Sequence, residues 1–216
     1  MAANRKDRRL RKEGTAAAAG LLLFAVALFP AVSPGTGAAC VGRTITVGYY
    51  DSPDQELVAN ILAVFIDERT GTTVRLSRFG NRDEAFEAIK RDKVSLYADY
   101  SRIVLTRFGG EAPGADRERN IVRLKEVLNG KYNVIWLEPF GYDRYFSEKG
   151  REGNDPGEGG VMLCKDALSR FPALPKLLAK LRGTLDNETM GSLLREAEKS
   201  DAKTVARRFL KTRKLI

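Results

Sequence analysis

Two periods of apolar and polar positions organise the chain from residue 43 onward. RTITVGYY alternates and is rich in β-branched residues, which predicts a strand. SPDQELVANILAVFIDERTG then changes period: Leu57, Ile61, Leu62 and Phe65 fall at helical spacing, Ser52 suits the cap, Pro53 the first turn and Gly71 the stop. TTVRLSRF alternates again, NRDEAFEAIKRDK is helical with Asn81 as cap, and VSLYADY is a third strand. YNVIWL supplies a fourth strand and VMLC a fifth, expected to return antiparallel. Strand, helix, strand, helix, strand predicts right-handed parallel crossovers, hence an α/β domain with a mostly parallel sheet and helices on both faces. Ligands in such sheets bind at the carboxyl ends of the strands.

The first forty residues follow neither period. MAANRKDRRLRKEG carries six Arg/Lys against two acids, an uncharged run TAAAAGLLLFAVALFPAV follows, and small residues lead to Cys40. This tripartite pattern predicts an export signal over residues 1–39, with residues 40–216 as the mature domain and a periplasmic or cell-envelope location. The alternative is a permanent anchor, for which an apolar run of roughly 17 residues is at the short limit. Contact with the membrane is expected only through this signal or a lipid anchor.

Removing the signal lowers the charge. It holds four of the nine net positive charges, and the rest are interspersed with acids, as in LLREAEKSDAKTVARR. Such mixing reads as solvated helix faces and not as a nucleic-acid surface. The chain has no histidine, nucleophile elbow or Walker loop, so no enzyme, cofactor or metal site is expected. Of its two cysteines, Cys40 and Cys164, export permits a disulfide. An antiparallel fifth strand would bring Cys164 to the edge where the first strand starts, within bridging range of Cys40. Acylation of Cys40 after GAAC is the competing use.

The rim at the carboxyl ends gathers Tyr50, Asp51 and Ser52 from strand one, Arg78 and Phe79 from strand two, and Tyr97, Asp99, Tyr100 and Ser101 from strand three. Ring faces beside carboxylates are chemistry for a quaternary ammonium ion, which has no proton to donate. For each Tyr alone, half-burial against a neighbour is the competing explanation.

Four segments in order resemble the substrate-binding proteins of osmoprotectant ABC transporters, which capture glycine betaine, choline, carnitine and related amines. VGYYDSPDQ stands where that family has G-S-K-x-F-x-E-Q, and KVSLYADYSRI resembles G-x-I-D-L-Y-P-E-Y-T-G-T. WLEPFGYDRYF is similar to W-L-x-P-x-G-F-N-N-T-Y, and the run from KDALSRFPALPK to TVARRFLKTRKLI follows the family's tail. The resemblance implies a type II periplasmic-binding-protein-like lobe and an ABC permease as partner. Position by position it implies ligand contacts at Tyr100 and Ser101, at Tyr50 in the place of a family Lys, and at Tyr145 or Phe146. Between the third and fourth segments the family inserts a second lobe, whereas here only residues 147–160 intervene, read as a solvated loop. The resemblance therefore implies a solute-binding component of a quaternary-ammonium importer. The alternative is a reduced homologue without ligand capture that serves as an exported interaction module.

Overall fold

A computed structural model describes residues 44–146 and 155–216. The expected export signal, Cys40 and residues 147–154 of the expected loop lie outside the described residues. Strand β1 (Ile45–Tyr50) leads through α1 (Pro53–Thr70) to β2 (Val74–Phe79), then through α2 (Arg82–Lys90) to β3 (Leu96–Tyr100). The short α3 (Ser101–Val104) runs into a π turn (Leu105–Gly109), followed by α4 (Arg117–Tyr132), β4 (Val134–Trp136) and β5 (Gly159–Cys164). Four helices close the chain: α5 (Lys165–Arg170), α6 (Leu174–Leu178), α7 (Asn187–Ala197) and α8 (Ala202–Thr212).

The sheet order is β2-β1-β3-β5-β4. β1 pairs parallel with both β2 and β3, while β5 lies antiparallel between β3 and β4. Four strands thus point one way and the expected antiparallel return is β5. The crossover through α1 moves outward from β1 and the one through α2 moves back past it. With both crossovers right-handed, α1 and α2 must cover opposite faces. α7 and α8 pack along α1. On the other face Phe86 of α2 stacks on Phe108 at 3.6 Å and meets Tyr132 edge-on at 5.2 Å. Because α1 is covered by the sheet on one side and by α7 and α8 on the other, it is apolar around most of its girth, with Leu57, Val58, Ile61, Leu62, Phe65 and Ile66 all buried.

Local signals act as their chemistry predicts, with one exception. Asn81 caps α2 by accepting from the Glu84 N–H at 3.0 Å, and Gly71 ends α1 in the left-handed region at φ 66°. Ser52 holds the cap position of α1, yet its hydroxyl donates to Asp54 instead of accepting from the helix.

One further expectation is corrected. The segment read as a loop through residue 160 ends at Glu158, because Gly159 and Gly160 enter β5 opposite Tyr100 and Asp99. Glycine is needed there: a Cβ at Gly160 would stand 2.5 Å from the Trp136 indole, and one at Gly159 would stand 2.2 Å from the Tyr142 ring. Of the expected Cys40–Cys164 bridge only Cys164 lies among the described residues. Cys164 is a free thiol, fully buried at the end of β5, where its sulfur accepts from the Ala167 N–H at 3.4 Å and caps α5.

Burial pushes the Cys164 thiol above its ordinary range, so little thiolate forms at neutral pH. Cys164 is therefore expected to resist iodoacetamide in the folded protein and to react fully after denaturation without reductant, as read by peptide mass. A Cys164 that stays unlabelled until a reductant is added would restore the disulfide.

Candidate functional site

Side chains in a strand alternate between faces. Along β3 this sends Tyr97 and Asp99 to the α2 face and Tyr100 to the α1 face, and the residues expected to share one rim separate into two clusters.

On the α2 face Asp99 is fully buried and Arg82, at the first position of α2, is 7% exposed. The Arg82 Nε–H lies 3.1 and 3.0 Å from the two Asp99 oxygens, and its Nη2 donates to the Tyr50 hydroxyl at 2.7 Å. The guanidinium carbon also lies 4.9 Å from the Tyr50 ring centre. The Tyr97 hydroxyl donates to Asp99 at 2.6 Å and the Tyr100 N–H at 2.9 Å. Burial pushes the Asp99 carboxyl up, and Arg82, the Tyr97 hydroxyl and the Tyr100 N–H act against it. Burial and then the Asp99 charge hold the Tyr97 phenol well above its usual range, so it stays a donor.

On the α1 face the Tyr100 hydroxyl has two acceptors, Asp54 at 3.2 Å and the Arg144 carbonyl at 3.0 Å. Asp54 sits in the first turn of α1, where the helix dipole favours its charge. Around the Tyr100 ring stand Tyr142, edge-on at 5.5 Å, and Tyr145, tilted at 5.4 Å. Phe146 meets Tyr142 at 6.1 Å and carries the Arg144 guanidinium 5.0 Å above its own ring.

The predicted residues are placed unequally. Tyr50, Tyr97, Asp99, Tyr100 and Ser101 are buried, and Tyr145 and Phe146 are partly exposed. Ser101 does not face solvent because its Oγ accepts from the Glu158 N–H at 3.0 Å while its own N–H donates to the Glu158 carbonyl at 2.9 Å. Two cavities open on the rim. One, of about 320 Å³, is lined by Tyr50, Asp51, Asn81, Arg82 and Arg107. The other, of about 510 Å³, is lined by Tyr145, Arg102, Thr106, Arg107 and Asp155. Sequence reasoning missed Arg82, Arg102, Arg107 and Tyr142. Arg82 had a signal, because it opens the helix that follows the carboxyl end of β2. The arginines pair with acids, Arg107 with Asp83 and Arg102 with Asp155 at 3.5 Å. Among the described residues no group of His, Cys, Asp or Glu forms a metal site, and no helix is long and apolar enough to cross a membrane.

Gly159 positions this aromatic cluster by leaving room for the Tyr142 ring against β5. Gly159→Ala is expected to cost about 1–3 kcal/mol of stability by overpacking, seen as a lower urea midpoint. An unchanged midpoint would show that the Tyr142 ring is free to move aside.

Comparison with known proteins agrees with this architecture. A crystal structure described as a glycine betaine/carnitine/choline ABC transporter superposes with a TM-score of 0.69 at 12% identity, covering 80% of this chain and 98% of that one. The apo form of YehZ from Escherichia coli superposes with a TM-score of 0.68 at 14% identity, over 80% of this chain and 99% of that one. No curated protein matches the sequence. These likenesses establish a periplasmic-binding-protein-like α/β fold with a mixed sheet. Residues 43–147, a region that takes in the rim just described, match the family model for the substrate-binding domain of the ABC-type glycine betaine transport system.

Proposed function

We propose that this chain is the solute-binding component of an ABC importer for quaternary-ammonium osmoprotectants such as glycine betaine or choline, exported to the cell envelope and handing its ligand to a permease. The observation that carries this reading is Tyr145, a partly exposed ring tilted against buried Tyr100 and lining the cavity that Arg102 and Arg107 also line. A ring face attracts a methylated ammonium, and guanidiniums attract a carboxylate. The pair of chemistries favours a zwitterion such as glycine betaine or carnitine over choline, which has no carboxylate to meet the arginines.

Affinity is limited by what one lobe offers. A cation over one or two rings gains about 0.5–2 kcal/mol per ring, against an association cost of about 4–15 kcal/mol. The second reading, a reduced homologue serving as an exported interaction module, is favoured by the burial of Tyr97 and Tyr100, which leaves them no open face for a ligand.

Isothermal titration with glycine betaine, carnitine and choline separates the two. Glycine betaine is expected to bind at about millimolar Kd, with choline weaker and Tyr145→Ala several-fold weaker for both. The absence of heat for all three amines at tens of millimolar would reject ligand capture in favour of the interaction module.

A further inference from the structure

Tyr50, Tyr97 and Asp99 have the composition of a cation site, and the cation in it belongs to the chain. The Arg82 guanidinium has Asp99 along its Nε edge, the Tyr50 ring 4.9 Å from its centre and the Tyr50 hydroxyl at 2.7 Å. Tyr97 completes the wall, donating to Asp99 and meeting Tyr50 edge-on at 6.5 Å. We propose that Arg82 is a resident ligand: its guanidinium fills a site for a small organic cation built from Tyr50, Tyr97 and Asp99, and removing it turns that site into a receptor for free guanidinium or methylated ammonium ions.

Three features support the assignment. The carboxylate is held by groups other than Arg82, namely the Tyr97 hydroxyl and the Tyr100 N–H, so its position survives removal of the guanidinium. Tyr50 and Arg82 both line the rim cavity of about 320 Å³, which gives a free ion a route in from solvent. Arg82 is anchored at the start of α2, capped independently by Asn81, so truncating its side chain leaves the helix start intact. In the native chain the consequence is specificity. With this site filled, an external quaternary amine is confined to the Tyr145 side of the rim; this last clause rests on the function proposed above, whereas the resident-ligand assignment does not.

The test is chemical rescue of Arg82→Ala with methylguanidinium chloride and tetramethylammonium chloride, against sodium chloride at equal ionic strength. Calorimetric titration of the full chain should show Arg82→Ala binding methylguanidinium at least about tenfold more tightly than wild type, with a matching rise in Tm on addition. The gain should vanish in Arg82→Ala with Asp99→Asn. A folded Arg82→Ala that binds neither cation more tightly than wild type overturns the assignment. If Arg82→Ala does not fold, the same cations are added during refolding: recovery of native circular dichroism with methylguanidinium but not sodium supports the resident-ligand site, and recovery with none of them overturns it. Glycine betaine binding to wild type is measured separately, so loss of either proposal leaves the other standing.

Discussion

A carboxylate buried in the middle of a sheet constrains everything around it. Asp99 lies on β3, a central strand, with no exposed surface, and an ionised group there is tolerated only if its oxygens are met by donors and a counter-charge. Arg82, Tyr97 and the Tyr100 N–H meet that demand. Each donor is then fixed in turn. Arg82 sets the first turn of α2 against the carboxyl end of the sheet, and through Tyr50 it ties β1 to the same point. Removing one partner of such a pair typically costs about 3–5 kcal/mol, whereas an exposed pair such as Arg107 with Asp83 is worth about 1 kcal/mol or less. The rim is therefore organised from Asp99 outward and not from its many surface ion pairs.

The second constraint is the two-residue period of β3. Asp99 and Tyr100 are adjacent, so one must face α2 and the other α1. A motif read along the chain as a single group of tyrosines and acids becomes two groups in space. The α2 group is saturated by Arg82. The α1 group is built on Tyr100, Tyr142 and Tyr145 and reaches solvent only at its outer rings.

The fold was legible because its signals are local. Alternation in RTITVGYY and TTVRLSRF, the apolar spacing from Leu57 to Phe65, and punctuation by Pro53, Gly71 and Asn81 set the first three strands and two helices where they stand. The antiparallel return through VMLC was legible as well. What local pattern could not carry was the partner of each polar group. Arg82 and Asp99 are separated by 17 positions, and Tyr100 and Asp54 by 46, so their pairing depends on tertiary placement. Gly159 and Gly160 misled for a related reason: two glycines after a polar, glycine-rich run have the composition of a loop. In β5 their lack of side chains serves Tyr142 and Trp136 from other parts of the chain. Cys164 likewise was read for its redox chemistry, while its use in the fold is to end β5 and cap α5.

The same long-range bonds explain how one lobe closes on itself. The described segments on both sides of residues 147–154 bond at the end of the sheet where β3 meets β5. On the near side, the Phe140 N–H donates to the Gly159 carbonyl at 2.8 Å and the Gly159 N–H to the Tyr142 carbonyl at 2.9 Å. On the far side, Pro156 and Glu158 accept from the Arg102 and Ser101 N–H groups at 3.0 and 2.9 Å. The two segments are also bonded to each other, Phe140 and Tyr142 to Gly159, so these backbone groups are met within the described domain. A ligand at Tyr145 then meets one wall, and its desolvation stays incomplete unless a second molecule covers it. Cation–π attraction strengthens as water is excluded. On the function proposed above, tight capture and partner docking would be a single event, with the affinity set by whichever chain covers the Tyr145 cavity.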